Sequence, residues 1–208
     1  MADKRYELIH REALFQGYFR VDRFHLRHER FAGGWTPVFT REVFERGRAV
    51  GVLLFDPHQD KVVMIEQFRP GVMAKDEYPW LMELVAGIID SGESHESTAM
   101  REAMEEAACV VTDLQPILSY SPSPGCMAEH TALYVGRTVA PKQGSVQGLQ
   151  TENEDIRVHV MDAAQAISLL YSNKLRDAAS IIAMQWFAMH HTELRSRWLI
   201  SDTSTPLI

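Results

Sequence analysis

Cysteine is scarce in this 208-residue chain, and the two present, Cys109 and Cys126, have neither metal-ligand spacing nor the numbers for a disulfide framework. That usage fits reduced, intracellular thiols. A basic surplus is also missing. Against 28 Asp plus Glu stand 21 Lys plus Arg, a net charge of −7, which gives no footprint for gripping nucleic acid through its phosphates. Long hydrophobic runs are absent: the most apolar stretch, 178–189, is too short to span a bilayer and holds Ser180 and Gln185. The opening Met-Ala-Asp-Lys-Arg-Tyr-Glu has no apolar core of a signal peptide. The nine histidines show no HExxH spacing, and the adjacent His190 and His191 diverge on a helix, so all nine read as structural or solvated. No repeat or low-complexity tract appears. What remains is an ordinary globular mixture, 46% apolar and 24% charged, long enough for one well-packed domain or a domain with a small appendage. We expect a soluble, cytoplasmic protein with no nucleic-acid or membrane partner. Any phosphate-bearing ligand must be small, or must arrive with cations.

The first 70 residues read as strands. Large residues alternate with charges over 18–28, Gly33-Gly34 offers a turn, and 38–44 follows. The apolar runs 48–55 and 61–68, joined by Asp56-Pro57-His58-Gln59-Asp60, read as a hairpin in a buried sheet. A loop spans 71–79. Glu93 or Ser94 stands where a helix begins, and periodicity predicts that helix over 95–108. Strands return at 117–120, 131–136 and 156–160. The polar, glycine-containing stretch 141–155 reads as a long mobile loop, of the kind that is often functional. Helices at 162–171 and from 178 to about 198 finish the chain, the second behind Asp177 as a possible N-cap.

The informative segment is Arg101-Glu102-Ala103-Met104-Glu105-Glu106. At 100° per residue, Met100, Ala103, Met104 and Ala107 share an arc that is expected to face the sheet, with Glu102, Glu105 and Glu106 opposite and outward. Arg101 precedes Glu105 by four and can partner it, whereas Glu102 and Glu106 have no basic residue three or four away. Two unit charges ~6 Å apart at an effective dielectric near 20 repel by about 3 kcal/mol. Water relieves part of that on an open helix; a hard divalent cation such as Mg²⁺ or Mn²⁺ relieves it better. Taken alone, such a run is equally a solvated acidic face.

Context narrows the reading. Gly87, five residues, Glu93, seven residues, then Arg101-Glu102-Ala103-Met104-Glu105-Glu106 resembles the Nudix box, G-x5-E-x7-R-E-U-x-E-E-x-G-U. The chain departs from it at Ala108, where the box has Gly, and at Cys109, where it has a bulky aliphatic. Ala disfavours a left-handed position after a helix, so the helix is expected to terminate differently here while the catalytic face before it stays intact. From about residue 12 to residue 198 the chain is similar to the ADP-ribose pyrophosphatase branch of Nudix hydrolases. The likeness rests on Gly17-Tyr18-Phe19, Arg41 to Gly47, Ile65 to Arg69, Glu83-Leu84-Val85-Ala86-Gly87, Ser123-Pro124-Gly125, Glu129 and Glu152 to Ile156. Pro124, about fifteen residues past the box, occupies a position characteristic of that branch.

The resemblance implies an α+β fold: the Nudix α/β/α sandwich with a mixed sheet over 48–208, preceded by an antiparallel β segment over 1–47 that exchanges in a homodimer. It assigns divalent metal, Mg²⁺ with Mn²⁺ as the alternative, to Glu102, Glu106, the carbonyl of Ala86 and Glu154. Glu105 shares the catalytic face and either helps or is only held by Arg101. Glu152 matches the general base that takes a proton from the attacking water. Tyr18 or Phe19 is a candidate for stacking on adenine; Arg41, Glu42, Arg46 and Arg69 would line the substrate, with Ile88, Ser123, Pro124, Gly125 and Glu129 close by. The implied activity is Mg²⁺-dependent hydrolysis of ADP-ribose, a small nucleotide sugar, to AMP and ribose 5-phosphate. Alternatives are hydrolysis of another nucleoside diphosphate sugar such as GDP-mannose, or non-catalytic sensing of ADP-ribose. A sensor would be expected to have lost the box carboxylates or gained a DNA-binding domain.

Overall fold

The structure, a computed structural model, describes residues 3–203. The chain divides into two compact units, one formed by residues up to Arg48 together with Tyr120–His130, the other by Ala49–Ser119 and the chain from Thr131 onward.

In the first unit β1 (Tyr6–Gln16), β2 (Arg20–His28) and β3 (Phe39–Glu45) form an antiparallel sheet in that order. The strand expected over 18–28 begins at Arg20, because Gly17 to Phe19 make the tight turn that feeds it. Sequence reading did not single out β1. Its pairing with β2 slips between Leu8 and His10 and again between Ala13 and Phe15, and these bulges destroy the two-residue alternation that marks a strand. One buried carboxylate ties the three strands together. Asp22 on β2 is fully buried and accepts from Arg20 Nε (2.7 Å) and from Arg11 Nε of β1 (2.6 Å), while Arg11 also reaches Glu45 of β3 (2.6 Å). Residues 126–128 join the edge: the Phe44 N–H donates to the Cys126 carbonyl and the Ala128 N–H to the Phe44 carbonyl.

The second unit contains, apart from the strand-end residues Arg48, Tyr120 and His130 that fall in the first, β4 (Arg48–Asp56), β5 (Lys61–Phe68), α1 (Pro70–Met73), β6 (Trp80–Glu83), β7 (Val85–Ile88), α2 (His95–Ala107), β8 (Asp113–Tyr120), β9 (His130–Arg137), β10 (Val146–Gln147), β11 (Ile156–Asp162), α3 (Ala163–Ser168) and α4 (Ala178–Thr203), in chain order. Its sheet runs β10-β11-β5-β4-β9-β8, with β6 on β5 and β7 on β4. Most pairs are antiparallel. β9 follows β4 in the same direction: Thr138 after its end donates to the Phe55 carbonyl, while Leu133 near its start packs over Gly51, so the sheet is mixed. The central strands are buried on both faces, which is why they read as continuous apolar runs. Val50, Val52, Leu54, Val63, Ile65 and Val85 pack with Ala99, Ala103 and Ala107 of α2. On the other face Phe55 meets Phe187 and Trp198 of α4 at ring separations of 5.0 and 6.1 Å. This is the expected α/β/α sandwich.

Two features of α2 differ from expectation. Met100 and Met104 are exposed, and the buried row is Ala99, Ala103, Ala107 with Glu106 beside it. Alanines at i, i+4 and i+8 let the helix backbone come close to the sheet, and that approach rotates the buried arc away from the two methionines. The helix also terminates through a left-handed residue despite the missing glycine. Ala108 adopts φ 53°, ψ 36°, with its N–H on the Met104 carbonyl (3.1 Å) and the Cys109 N–H on the Ala103 carbonyl (2.9 Å). Among the described residues no helix is long and apolar enough to cross a membrane.

Candidate active site

The site is built outward from the start of α2. Ser94 caps the helix, its hydroxyl accepting the Ser97 N–H at 3.1 Å while the Ser97 hydroxyl takes the Ser94 N–H at 3.0 Å. Glu93, just before the cap, accepts from Thr98 Oγ1 (2.8 Å) and from two nitrogens of Arg101 (3.1 Å each). The same guanidinium reaches Glu102 and Glu105, each at 2.9 Å. The expected Arg101–Glu105 pair is present. Its links to Glu93 and Glu102 were not apparent from helical spacing, since one lies off the helix and the other is an immediate neighbour. Arg101 and the Thr98 hydroxyl hold the Glu93 carboxyl down at about 2.

The carboxylates of α2 do not face open water as the arc reading implied. Glu106 is 3% exposed, and its Oε2 accepts the Ala86 N–H of β7 at 3.0 Å. Burial pushes its carboxyl up to about 8; the Ala86 N–H and the Arg69 guanidinium pull against that, and the charges of Glu102 and Glu154 add to it. The Glu102 carboxyl is also raised, chiefly by burial, with Arg101 opposing and Glu105 and Glu154 contributing. Glu102 lies flat against Gly87. A Cβ at Gly87 would sit 1.8 Å from Glu102 Oε1, so the box glycine makes room for a carboxylate rather than for a turn. β7 pairs with β4, Gly51 opposite Ala86, which fixes that backbone against the helix.

The 141–155 stretch is more ordered than a loop reading suggests. It contains β10 and a 3-10 turn, Gln150–Glu152. The Gly148 N–H donates to the Glu105 carbonyl of α2 at 3.2 Å, and Glu154 closes the loop on itself by accepting the Leu149 N–H at 3.0 Å. Glu154 is partly buried and Glu152 exposed. Arg69, at the end of β5, donates from Nε to Glu83 at 2.8 Å. Glu83 is 6% exposed, and burial raises its carboxyl to about 7 against the pull of Arg69. Sequence reading gave it no role; a glutamate in a four-residue strand carries no signal of burial. Ile88 ends β7, opposite Ala49.

The remaining substrate candidates lie in the first unit. Phe19 packs on Phe44 (5.0 Å between ring centroids), Tyr18 meets its edge at 4.8 Å, and the Arg46 guanidinium lies 5.6 Å from its ring centroid. Arg46 is also 3.6 Å from Glu129. Arg41 covers the Phe39 ring at 4.7 Å, and Glu42 accepts from Arg23 at 3.2 Å. Ser123-Pro124-Gly125 form an exposed turn closed by the Met127 N–H on the Ser123 carbonyl (2.9 Å).

Among the described residues, no three His, Cys, Asp or Glu side chains form a ready cation cage. The charge of Glu154 nevertheless acts on both Glu102 and Glu106, that of Glu102 acts on Glu106, and their donors are hard oxygens. That set suits a divalent cation, which would replace their mutual repulsion by attraction.

The profile described as the NUDIX domain matches residues 45–193. The ADP-ribose pyrophosphatase of Escherichia coli (strain K12) is 45% identical over 192 residues, 92% of each chain. That of Haemophilus influenzae is 36% identical over 195 residues, 92% of this chain and 90% of its own. A solved structure described as an ADP compounds hydrolase shares the fold with a TM-score of 0.66 at 21% identity, over 89% of this chain and 96% of that one.

Proposed function

Since the chain belongs to the NUDIX family and is a Nudix pyrophosphohydrolase, we propose that its substrate is ADP-ribose, hydrolysed with Mg²⁺ to AMP and ribose 5-phosphate. One observation carries the reading: Glu102 and Glu106 stand one turn apart on α2, pressed against Ala86 and Gly87, with Glu154 close enough to act on both. Nudix hydrolases generally use divalent metals. Glu102, Glu106, Glu154 and the Ala86 carbonyl would hold such an ion, which when bound neutralises pyrophosphate oxygens and makes water a better nucleophile.

The protein's own groups divide the remaining work. Arg101, clamped by Glu93, holds Glu102 and Glu105 in place, so Glu105 serves in positioning. Arg69 offers a guanidinium to the phosphates. Glu152 takes a proton from the attacking water as its oxygen bonds to phosphorus, and the bridging oxygen leaves with one of the two monophosphates. Tyr18 or Phe19 stacks on adenine. Arg41, Glu42, Arg46 and Glu129 contact the rest of the substrate, with Ile88 and the Ser123-Pro124-Gly125 turn nearby. In this reading the enzyme is cytoplasmic, consistent with two unbridged cysteines, and is a homodimer whose segment 1–47 is exchanged.

Incubation with a panel of nucleoside diphosphate sugars and Mg²⁺, followed by chromatography, tests the assignment. AMP plus ribose 5-phosphate from ADP-ribose is the expected result. Efficient turnover of GDP-mannose alone would move the substrate, and binding of ADP-ribose without turnover of any sugar nucleotide would favour the sensor.

A further inference from the structure

Glu83 is a buried carboxylate that the reaction above does not use. Antiparallel pairing of β5 with β6 sets Ile65 opposite Glu83 and Gln67 opposite Leu81, and the Arg69 N–H donates to the Pro79 carbonyl. The Arg69 side chain turns back along this hairpin to place Nε on Glu83 at 2.8 Å. Behind Glu83 stands the first turn of α4: Ser180 N–H donates to Asp177 Oδ2 (2.8 Å), and Leu84 N–H donates to Ser180 Oγ (2.9 Å). Asp177 Oδ1 and Gln67 Nε2 are buried without hydrogen-bond partners. Burial and the like charge of Asp177 both oppose the Glu83 anion, and the Arg69 guanidinium supports it. The positive charge of Arg69 is also felt at Glu106, which it favours in the ionised form. Its bond to Glu83 engages Nε and not the terminal nitrogens, the pair suited to a forked contact with phosphate oxygens.

We infer that Glu83 is a positioning residue that fixes Arg69 by Nε and aims its terminal nitrogens at the pyrophosphate beside Glu106. Glu83 itself does not touch substrate. The inference rests on the proposed pyrophosphate hydrolysis, which brings phosphate to Arg69. A guanidinium released from Glu83 keeps its charge and loses its direction. The cost then falls on substrate binding, with the chemistry at the α2 carboxylates left in place.

The test is a double-mutant cycle on the full chain with ADP-ribose and Mg²⁺, using Glu83→Gln, Arg69→Ala and the pair. Glu83→Gln is expected to raise KM about tenfold, the size of a lost charge-assisted hydrogen bond, with kcat within about threefold. Placed on Arg69→Ala, it should add less than about twofold. A further tenfold rise in that background would overturn the inference, because Glu83 would then act without Arg69. An independent readout is the Arg69 Nε–H signal in a nitrogen–proton NMR spectrum, assigned by its loss in Arg69→Lys. It should shift and exchange faster in Glu83→Gln, and an unchanged signal would also overturn the inference. Should Glu83→Gln fail to fold, Glu83→Asp keeps the charge but is one methylene short, and the same two outcomes are read from it. Wild-type protein that leaves ADP-ribose intact would refute the substrate alone, and the NMR result would still decide Glu83.

Discussion

Ala108 holds a backbone conformation that the Nudix box reserves for glycine, φ 53° and ψ 36°. An L residue there carries strain of about 1 kcal/mol relative to glycine. Ala108→Gly should therefore stabilise the fold by about that amount, read as a higher urea midpoint, while leaving turnover within several-fold, since the face proposed to bind the cation precedes this point. A large gain in rate would mean that the alanine had already disturbed the carboxylates. Gly87 has the opposite sensitivity. A methyl group there collides with Glu102, so Gly87→Ala must displace the carboxylate. Misplacement of a catalytic group by ~1 Å costs about 10²-fold in turnover, and steady-state assays should find a loss of that order with the melting temperature nearly unchanged. Normal turnover would contradict the close packing of Glu102 on β7. The neighbouring Cys109 is buried, and burial pushes its thiol up to about 11, whereas Cys126 is exposed. A thiol reagent at pH 8 should label one site rapidly, Cys126, and the second only on unfolding.

At the scale of elements, α2 shows both what the sequence made legible and what it did not. Its start at Ser94, the Arg101–Glu105 pair and the shared side of Glu102 and Glu106 follow from spacing along one helix. The burial of Glu106 and the exposure of Met100 and Met104 do not, because they depend on how closely the Ala99, Ala103 and Ala107 row approaches the sheet. β6 and β7 escaped notice for a related reason: four-residue strands joined at Leu84 are too short to show a period. The β4–β5 hairpin, eight and nine residues of apolar sequence around a turn, was plain. The burial of Glu106 has a consequence for pH. Its folded-state value lies near 8 against an ordinary 4.5, so between these limits the folded chain holds a proton that the unfolded chain has released. Metal-free stability should fall as pH rises through that window, and Glu83, raised to about 7, adds to the slope below pH 7. Glu93, held at about 2, contributes stability that is present above pH 4.5 and lost as pH falls toward 2. Urea midpoints from pH 5 to 8 in chelator should decline, and Glu106→Gln should flatten the decline. Saturating Mg²⁺ displaces the proton and should reverse the slope, whereas a metal-free rise with pH would contradict the burial.

At the scale of the whole molecule, the candidate residues are shared between two compact units, and this division was only partly visible. The boundary at 47/48 came only from the family resemblance, since the first 70 residues read alike as strands; the membership of Tyr120–His130 in the N-terminal unit had no sequence signal, because it depends on backbone bonds between Phe44 and residues 126–128. The proposed exchange of the N-terminal segment gives a hydrodynamic prediction. Sedimentation should report about 47 kDa, twice the 23.7 kDa chain, and a chain starting at Arg48 should lose both association and substrate affinity; a fully active monomer of that length would end the idea. In the proposed reaction Glu102 and Glu106 of α2 are the main holders of the cation, joined by Glu154, while Glu152 supplies the base. Titration calorimetry with Mg²⁺ and ADP-ribose, beside turnover at saturating metal, separates the two roles. Glu102→Gln and Glu106→Gln should weaken Mg²⁺ binding and also slow turnover. Glu152→Gln should bind both ligands nearly normally while turnover falls by ~10²–10⁴, the usual loss for a general base. Retention of most of its turnover by Glu152→Gln, or normal Mg²⁺ affinity in Glu102→Gln and Glu106→Gln, would contradict the account.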